Sequence, residues 1–212
     1  MPTSFSLAHL TVLGCAPDQM VHVAANAGYD HVSIRLIPLW TPGEPAYLPE
    51  NKAMLHATRV AIAATGVTVL DLERARIRRD IDPKSFLPAM EAAAELGARH
   101  VISSAWTSER NDRDFVVERY GEICDLAAPF GLTVDLEFPS FSRLTNLQEA
   151  ADVVRTAARP NGGIAWAWFG LGWRHLLYPF ESNRGICRCR TCPATCKNHW
   201  RNLHPGHCCD KA

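Results

Sequence analysis

The chain has 212 residues, 47% apolar and 21% charged, enough material to bury one sizeable core, and no apolar run approaches the ~20 residues a spanning helix needs. Twenty-two basic and twenty-two acidic side chains balance to zero, so bulk charge favours neither a nucleic-acid nor a membrane partner. Met1-Pro2-Thr3-Ser4 lacks the basic-then-apolar layout of a signal peptide, so a cytoplasmic chain is expected.

Phe5 to Leu10 predicts a first strand. Pro17 to Ala27 predicts a helix, with proline and Asp18 in the first turn and Met20, Val23, Ala24 and Ala27 on one face. Gly28 ends it, and His31 to Ile34 predicts a second strand. The same unit then recurs. Helices are expected over Asn51 to Ala64, Pro83 to Leu96, Asp112 to Pro129 and Leu147 to Ala158. Gly66, Gly97 and Gly131 close the first three of these, before apolar runs at Val67 to Leu70, His100 to Ile102 and Leu132 to Val134. A sixth strand is expected near Gly163, giving about five strand-helix units at spacings of about 26 to 36 residues.

Past Gly163 the composition changes. Residues 1 to 163 carry 15 Lys and Arg against 20 Asp and Glu, whereas 164 to 212 carry 7 against 2. Six of eight cysteines, four of six tryptophans and four of nine histidines fall in that last stretch. A boundary is expected there, dividing 1–163 from a basic Cys/His/Trp-rich tail at 164–212.

The repeating unit suits either an open doubly wound sheet or the closed eightfold barrel. No G-x-G-x-x-G follows the first strand and there is no P-loop, which removes support for the nucleotide-binding open sheets. Function in both architectures sits at the C-terminal strand ends. Those ends carry His9, Arg35, Asp71 with Glu73, Ser103 with Ser104 and Trp106, and Asp135 with Glu137. Leu-Asp-Leu-Glu73 and Val-Asp-Leu-Glu137 repeat one pattern, and alternation puts both acids of each pair on one face. Such carboxylates suit a hard divalent cation or general acid–base work. Arg74, Arg76, Arg78 and Arg79 precede Asp80 and Asp82 and read as a solvated, ion-paired loop. Cys15 and Cys124 read as small buried apolar residues, and His22, His31, His56 and His100 as structural or solvated.

Leu7-Ala-His-Leu-Thr11, Ala24-Ala-Asn-Ala-Gly-Tyr-Asp30 with Val32-Ser-Ile-Arg-Leu36, Gly66-Val-Thr-Val-Leu-Asp-Leu-Glu73, Leu96-Gly-Ala-Arg-His-Val101 and Ala127 to Pro139 occur in that order. Together they resemble the xylose isomerase-like sugar phosphate isomerase/epimerase family, from about residue 5 to Gly163. The resemblance implies an α/β chain of the (β/α)8 TIM-barrel type, incomplete at five to six units because such barrels run to ~250 residues. It implies a divalent metal (Mn, Mg, Co or Zn) at the barrel mouth, a small sugar-like substrate, and proton transfer through an enediolate. Glu137 matches the metal-binding carboxylate of the fifth strand, which can also serve as base. Glu73 matches a frequently acidic position, and His9 and Arg35 fall where substrate contacts are expected. Dehydratases and lyases acting on inositol-like or shikimate-type substrates share the fold and the same base. A DNA-directed endonuclease needs a basic groove, which the acidic 1–163 part lacks.

The family's next metal-binding Asp would fall near Ala167, where the chain has no acid. The tail offers Cys187-x-Cys189-x2-Cys192-x3-Cys196 followed by His199, His204, His207, Cys208 and Cys209, with Cys189 and Cys192 the best-spaced zinc pair. Three readings stay open: a zinc-binding appendage or interaction module on a degenerate barrel, a segment read out of frame, or a divergent barrel end.

Overall fold

The structure is a computed structural model and describes residues 4–105, 112–139, 142–166 and 176–179. Twelve elements follow in chain order: β1 (Ser6–Ala8), α1 (Pro17–Asn26), β2 (His31–Arg35), α2 (Lys52–Thr65), β3 (Thr68–Ile77), α3 (Leu87–Glu95), β4 (His100–Ala105), α4 (Arg113–Ala127), β5 (Thr133–Glu137), α5 (Leu147–Ala157), β6 (Gly162–Trp166) and β7 (Leu176–Pro179). They fall in the first of two compact units, Met1–Ser182; the second, Asn183–Ala212, lies outside the described residues.

The helix limits follow local chemistry. Asn51 Oδ1 accepts from Met54 N at 3.0 Å to start α2, and Asn146 Oδ1 accepts from Glu149 N at 3.0 Å to start α5. Gly66 ends α2 with φ 76°, a left-handed conformation that a β-carbon would strain. In α1 the buried stripe is Pro17, Met20, Val21 and Ala24, spaced i, i+3, i+4 and i+7. Val23, expected on that face, is 39% exposed because the stripe runs one residue earlier.

Strands β1 to β6 pair in chain order and all in parallel. A doubly wound sheet reverses its order at a switch point, whereas this sheet advances in one direction throughout. Right-handed crossovers that always advance the same way stack every helix on one side. Packing of α1 on α2 and of α4 on α5 agrees with that arrangement. The six parallel strands therefore form an arc of the singly wound, barrel type. After β6 the topology changes: β7 returns antiparallel, pairing Gly163 with Pro179 and Ile164 with Tyr178. The intervening positions 167–175 are too few for a helical crossover, so a return antiparallel to β6 is the geometry available.

The hydrophobic core lies between sheet and helices. Val32, Ile34, Leu72, Val101, Val134 and Leu136 point from the strands towards Met20, Met90 and Ile123, all fully buried. Each such side chain contributes roughly 1.5–3 kcal/mol relative to exposure. Tyr120 of α4 crosses this layer. Its hydroxyl donates to Val134 O at 2.8 Å and accepts from Gly163 N at 3.0 Å, joining β5 to β6. A β-carbon on Gly162 would stand 2.8 Å from that hydroxyl, so glycine is required by space. Tyr120→Phe is expected to lower stability by about 1–3 kcal/mol, because it removes two buried hydrogen bonds between α4 and the sheet; urea unfolding checks this.

Candidate active site

With Val, Ile and Leu turned to the helices, alternation sends the intervening residues to the opposite, inner face. The register aligns them across strands: Ser33 beside Asp71, Arg35 beside Glu73, Ile102 beside Asp135, and Ser104 beside Glu137. Asp71, Glu73, Asp135, Glu137 and Arg35 are all buried. Interiors of closed barrels are filled mainly by branched apolar side chains. Here the inner face is ionic.

Strand β3 supplies the first departure from the sequence reading. It does not stop before Asp71 but continues to Ile77, so Arg74 and Arg76 lie in a strand rather than in a solvated loop. Leu72 faces Val101 and Ala75 faces Ser103, leaving Glu73 and Arg74 opposite Ile102 alone. This bulge turns two consecutive side chains to one side. Glu73 Oε2 accepts from Arg35 Nη2 at 3.3 Å, and Arg74 Nη1 reaches over β4 to within 3.3 Å of Glu137 Oε2. The loop reading holds further on, where Arg78 forms a two-pronged pair with Asp80 at 2.7–2.8 Å.

Arg35 is held between two acids, Glu44 on one amino group and Glu73 on the other. Its Nε, like that of Arg74, is buried without a hydrogen-bond partner among the described residues. Glu137 Oε2 is also buried and accepts no hydrogen bond from the described residues; the Arg74 contact lies within ion-pair range without hydrogen-bond alignment. Asp71 accepts from Ser33 Oγ, and Asp135 stands 3.0 Å from His100 Nδ1. His100 thus belongs to the carboxylate cluster, which its sequence context did not signal.

Burial dominates the electrostatics. Desolvation pushes the Asp71 carboxyl up to about 7, against a smaller lowering by the Ser33 hydrogen bond. Desolvation also pushes Glu73 to about 7, helped by the Asp71 charge and opposed by Arg35 and Arg74. Near neutral pH both exist as mixtures of acid and carboxylate.

His9 follows β1 in one turn of 3₁₀ helix and is fully buried. Its Nδ1 meets Arg35 N at 3.0 Å and its Nε2 meets Cys15 O at 2.9 Å. An amide only donates and a carbonyl only accepts, so the ring is the neutral Nε2–H tautomer with both nitrogens engaged. Burial lowers its pKa in the same sense. Tyr47 stacks on the ring at 5.2 Å. His9 therefore fixes the backbone that carries Arg35.

The structure brings together Arg35, Glu73 and Glu137, and links His9 to them through Arg35. Cys189, Cys192, Trp106 and Ala167 lie outside the described residues. Cys124 is buried and Cys15 partly so, both as free thiols, with burial pushing Cys124 up to about 12. No described helix is long and apolar enough to cross a membrane. Among the described residues no three His, Cys, Asp or Glu side chains are grouped to hold a metal ion. A cleft of about 230 Å³ lined by Glu50, Lys52, Glu91 and Glu95 is not lined by any of the inner-face acids.

Comparison with known proteins agrees with this architecture. Curated protein sequences give no match. Among solved structures, the zinc-bound IolI protein superposes with TM-score 0.60 at 21% identity, covering 76% of this chain and 62% of its own. A 3-keto-D-glucoside 4-epimerase from E. coli gives 0.62 at 18%, covering 77% and 67%. A xylose isomerase-like TIM barrel protein from Mycobacterium smegmatis, in complex with magnesium, gives 0.58 at 16%, covering 79% and 66%. The chain thus spans less than two thirds of IolI. The family profile for the xylose isomerase-like TIM barrel matches residues 21–174, more than half of the sequence, and the chain belongs to that family.

Proposed function

We propose that this chain is an isomerase or epimerase of a small sugar, polyol or related hydroxy-carbonyl compound, working by carboxylate proton transfer. The observation that carries the reading is the buried Glu137 carboxylate, with one oxygen free of hydrogen bonds among the described residues, in the same inner-face cluster as Glu73. In this reading Glu137 removes the proton from the carbon beside the carbonyl: the C–H bond breaks, an O–H bond forms on Glu137, and an enediolate results. Protonation of the opposite face by a second acid, which ends ionised while Glu137 keeps its proton, gives the epimer; return of the proton from Glu137 to the neighbouring carbon gives the isomer. Glu73, titrating at about 7, can hold a proton at neutral pH and deliver it to a substrate oxygen. Arg35 positions Glu73, and His9 positions Arg35.

The resemblance implies a divalent ion, which needs several converging donors. Glu137 is a single carboxylate, and Oε2 faces the Arg74 guanidinium at 3.3 Å rather than a second ligand. Mg²⁺ and Mn²⁺ favour six oxygen ligands. The described residues do not fit such an ion. The family's neighbours named with zinc or magnesium support metal use in those proteins.

Incubating the full chain with a panel of keto and aldo sugars and polyol-derived ketones, with product analysis, tests the reading. New epimers or aldose–ketose pairs support it. Loss of water to an unsaturated ketone would instead establish the dehydratase class. No conversion of any compound by folded protein would sink both.

A further inference from the structure

Resting on the proton-transfer reading above, we infer that the guanidinium of Arg74 is the electrophile of this site, standing beside Glu137 as the cation that receives the substrate's carbonyl oxygen. Three observations on β3 and β5 carry it. First, the bulge between Leu72 and Ala75 turns Arg74 to the inner face together with Glu73, where regular alternation would have sent it into the apolar layer under the helices. A charged side chain placed there is costly unless it is used or paired. Second, Arg74 Nη1 lies 3.3 Å from Glu137 Oε2, so the cation occupies the ground beside this carboxylate where further metal ligands would have to converge. Third, Glu137 does not satisfy the guanidinium. Among the described residues Arg74 Nε is buried with no hydrogen-bond partner, and the Glu137 contact is not aligned as a hydrogen bond.

A guanidinium carries five N–H donors in a fixed plane and stays protonated throughout the working pH range. It matches two oxygens side by side, which is the shape of an enediolate or of a planar dicarboxylate. When Glu137 takes the proton from carbon, negative charge moves onto the carbonyl oxygen. Arg74 then hydrogen-bonds that oxygen, while the Glu137–Arg74 attraction falls as Glu137 becomes neutral. Charge is conserved within the pair plus substrate, and no oxidant or metal is needed for the balance. Arg35 cannot play the same part as readily, because Glu44 and Glu73 already engage both of its amino groups.

The test uses oxalate, a planar dianion with the oxygen layout of an enediolate, and Mn²⁺, which prefers oxygen donors and so discriminates against the cysteines of the tail. Oxalate binding to the full chain is measured by calorimetry after chelation, for the parent protein, Arg74→Gln and Arg74→Lys. Mn²⁺ binding is measured by electron paramagnetic resonance for the parent and Glu137→Gln. The expected result is oxalate binding without metal, weakened roughly tenfold or more by Arg74→Gln and less by Arg74→Lys. Mn²⁺ binding is expected to be the same in the parent and Glu137→Gln. If Arg74→Gln does not fold, Arg74→Lys keeps the charge, loses the fork and carries the comparison.

Oxalate binding that requires added Mn²⁺, or Mn²⁺ affinity that falls tenfold in Glu137→Gln, would overturn the inference. So would unchanged oxalate binding in both Arg74 variants, or no oxalate binding to the metal-free chain. All four readouts are binding equilibria. Failure of the catalytic reading, seen as no substrate conversion, therefore remains distinguishable from failure of the Arg74 assignment.

Discussion

Arg35→Met is expected to destabilise the fold by about 3–5 kcal/mol at pH 8, because it removes one partner of a buried ion pair and leaves the other charged. Arg35, Glu44 and Glu73 have side chains only 6%, 13% and 7% exposed, so water cannot replace the lost guanidinium. Methionine fills much of the same volume, which keeps the cavity contribution small. The loss should also depend on pH. Glu73 already titrates at about 7 with Arg35 present, and Arg35 lowers that value. Without Arg35 the carboxyl protonates more readily, so Glu73 escapes the penalty in acid. Urea unfolding should show the large loss at pH 8 and a smaller one at pH 5. A loss below 1 kcal/mol at pH 8 would mean that the pair is not buried in solution.

The parent protein should itself lose stability as pH rises from about 4 to above 7. Asp71 and Glu73 both have folded values of about 7, raised chiefly by desolvation from 3.8 and 4.5. In that window the folded state binds more protons than the unfolded state, so unfolding releases protons and is favoured by alkali. The contribution is fully present below the unfolded values and gone once pH passes the folded ones. Its size is on the order of a few kcal/mol, at about 1.4 kcal/mol for each pKa unit. Asp71→Asn should flatten the profile and stabilise the protein above pH 7. Asparagine stays neutral, and its carbonyl oxygen can still accept from the Ser33 hydroxyl that now bonds Asp71. A stability curve that rises between pH 5 and 8, in the parent and Asp71→Asn alike, would contradict this assignment.

The fold was legible where local chemistry decides it. Helix starts at Pro17, Asn51 and Asn146 and the helix ends at Gly66 and Gly131 announce themselves through capping. The inward direction of Asp71 with Glu73, and of Asp135 with Glu137, follows from alternation alone. Strand β3 was legible only to its midpoint. Its second half, Arg-Ala-Arg-Ile, alternates polar and apolar residues as a strand does, yet four arginines followed by two aspartates read as a solvated loop. The ionic inner face is what makes a strand of that composition stable, and a composition-based reading has no access to it. The roles of His9 and Arg74 were hidden for another reason. His9 acts on the Arg35 backbone, and Arg74 acts on Glu137, through contacts that close only in the folded sheet and, for Arg74, only because of a bulge. The metal site expected at Glu137 rested on a single carboxylate, and the residue facing that carboxylate carries a positive charge.

The central claim, that the inner-face carboxylates move a proton beside a carbonyl, is tested most directly by proton exchange at carbon. A keto sugar turned over by the protein is incubated with it in D₂O, and loss of the hydrogen beside the carbonyl is followed by proton NMR. The parent chain is predicted to wash deuterium into that position, and Glu137→Gln to do so about 10²–10⁴-fold more slowly, as expected for removal of a general base. Exchange at the parent rate in folded Glu137→Gln would contradict the account.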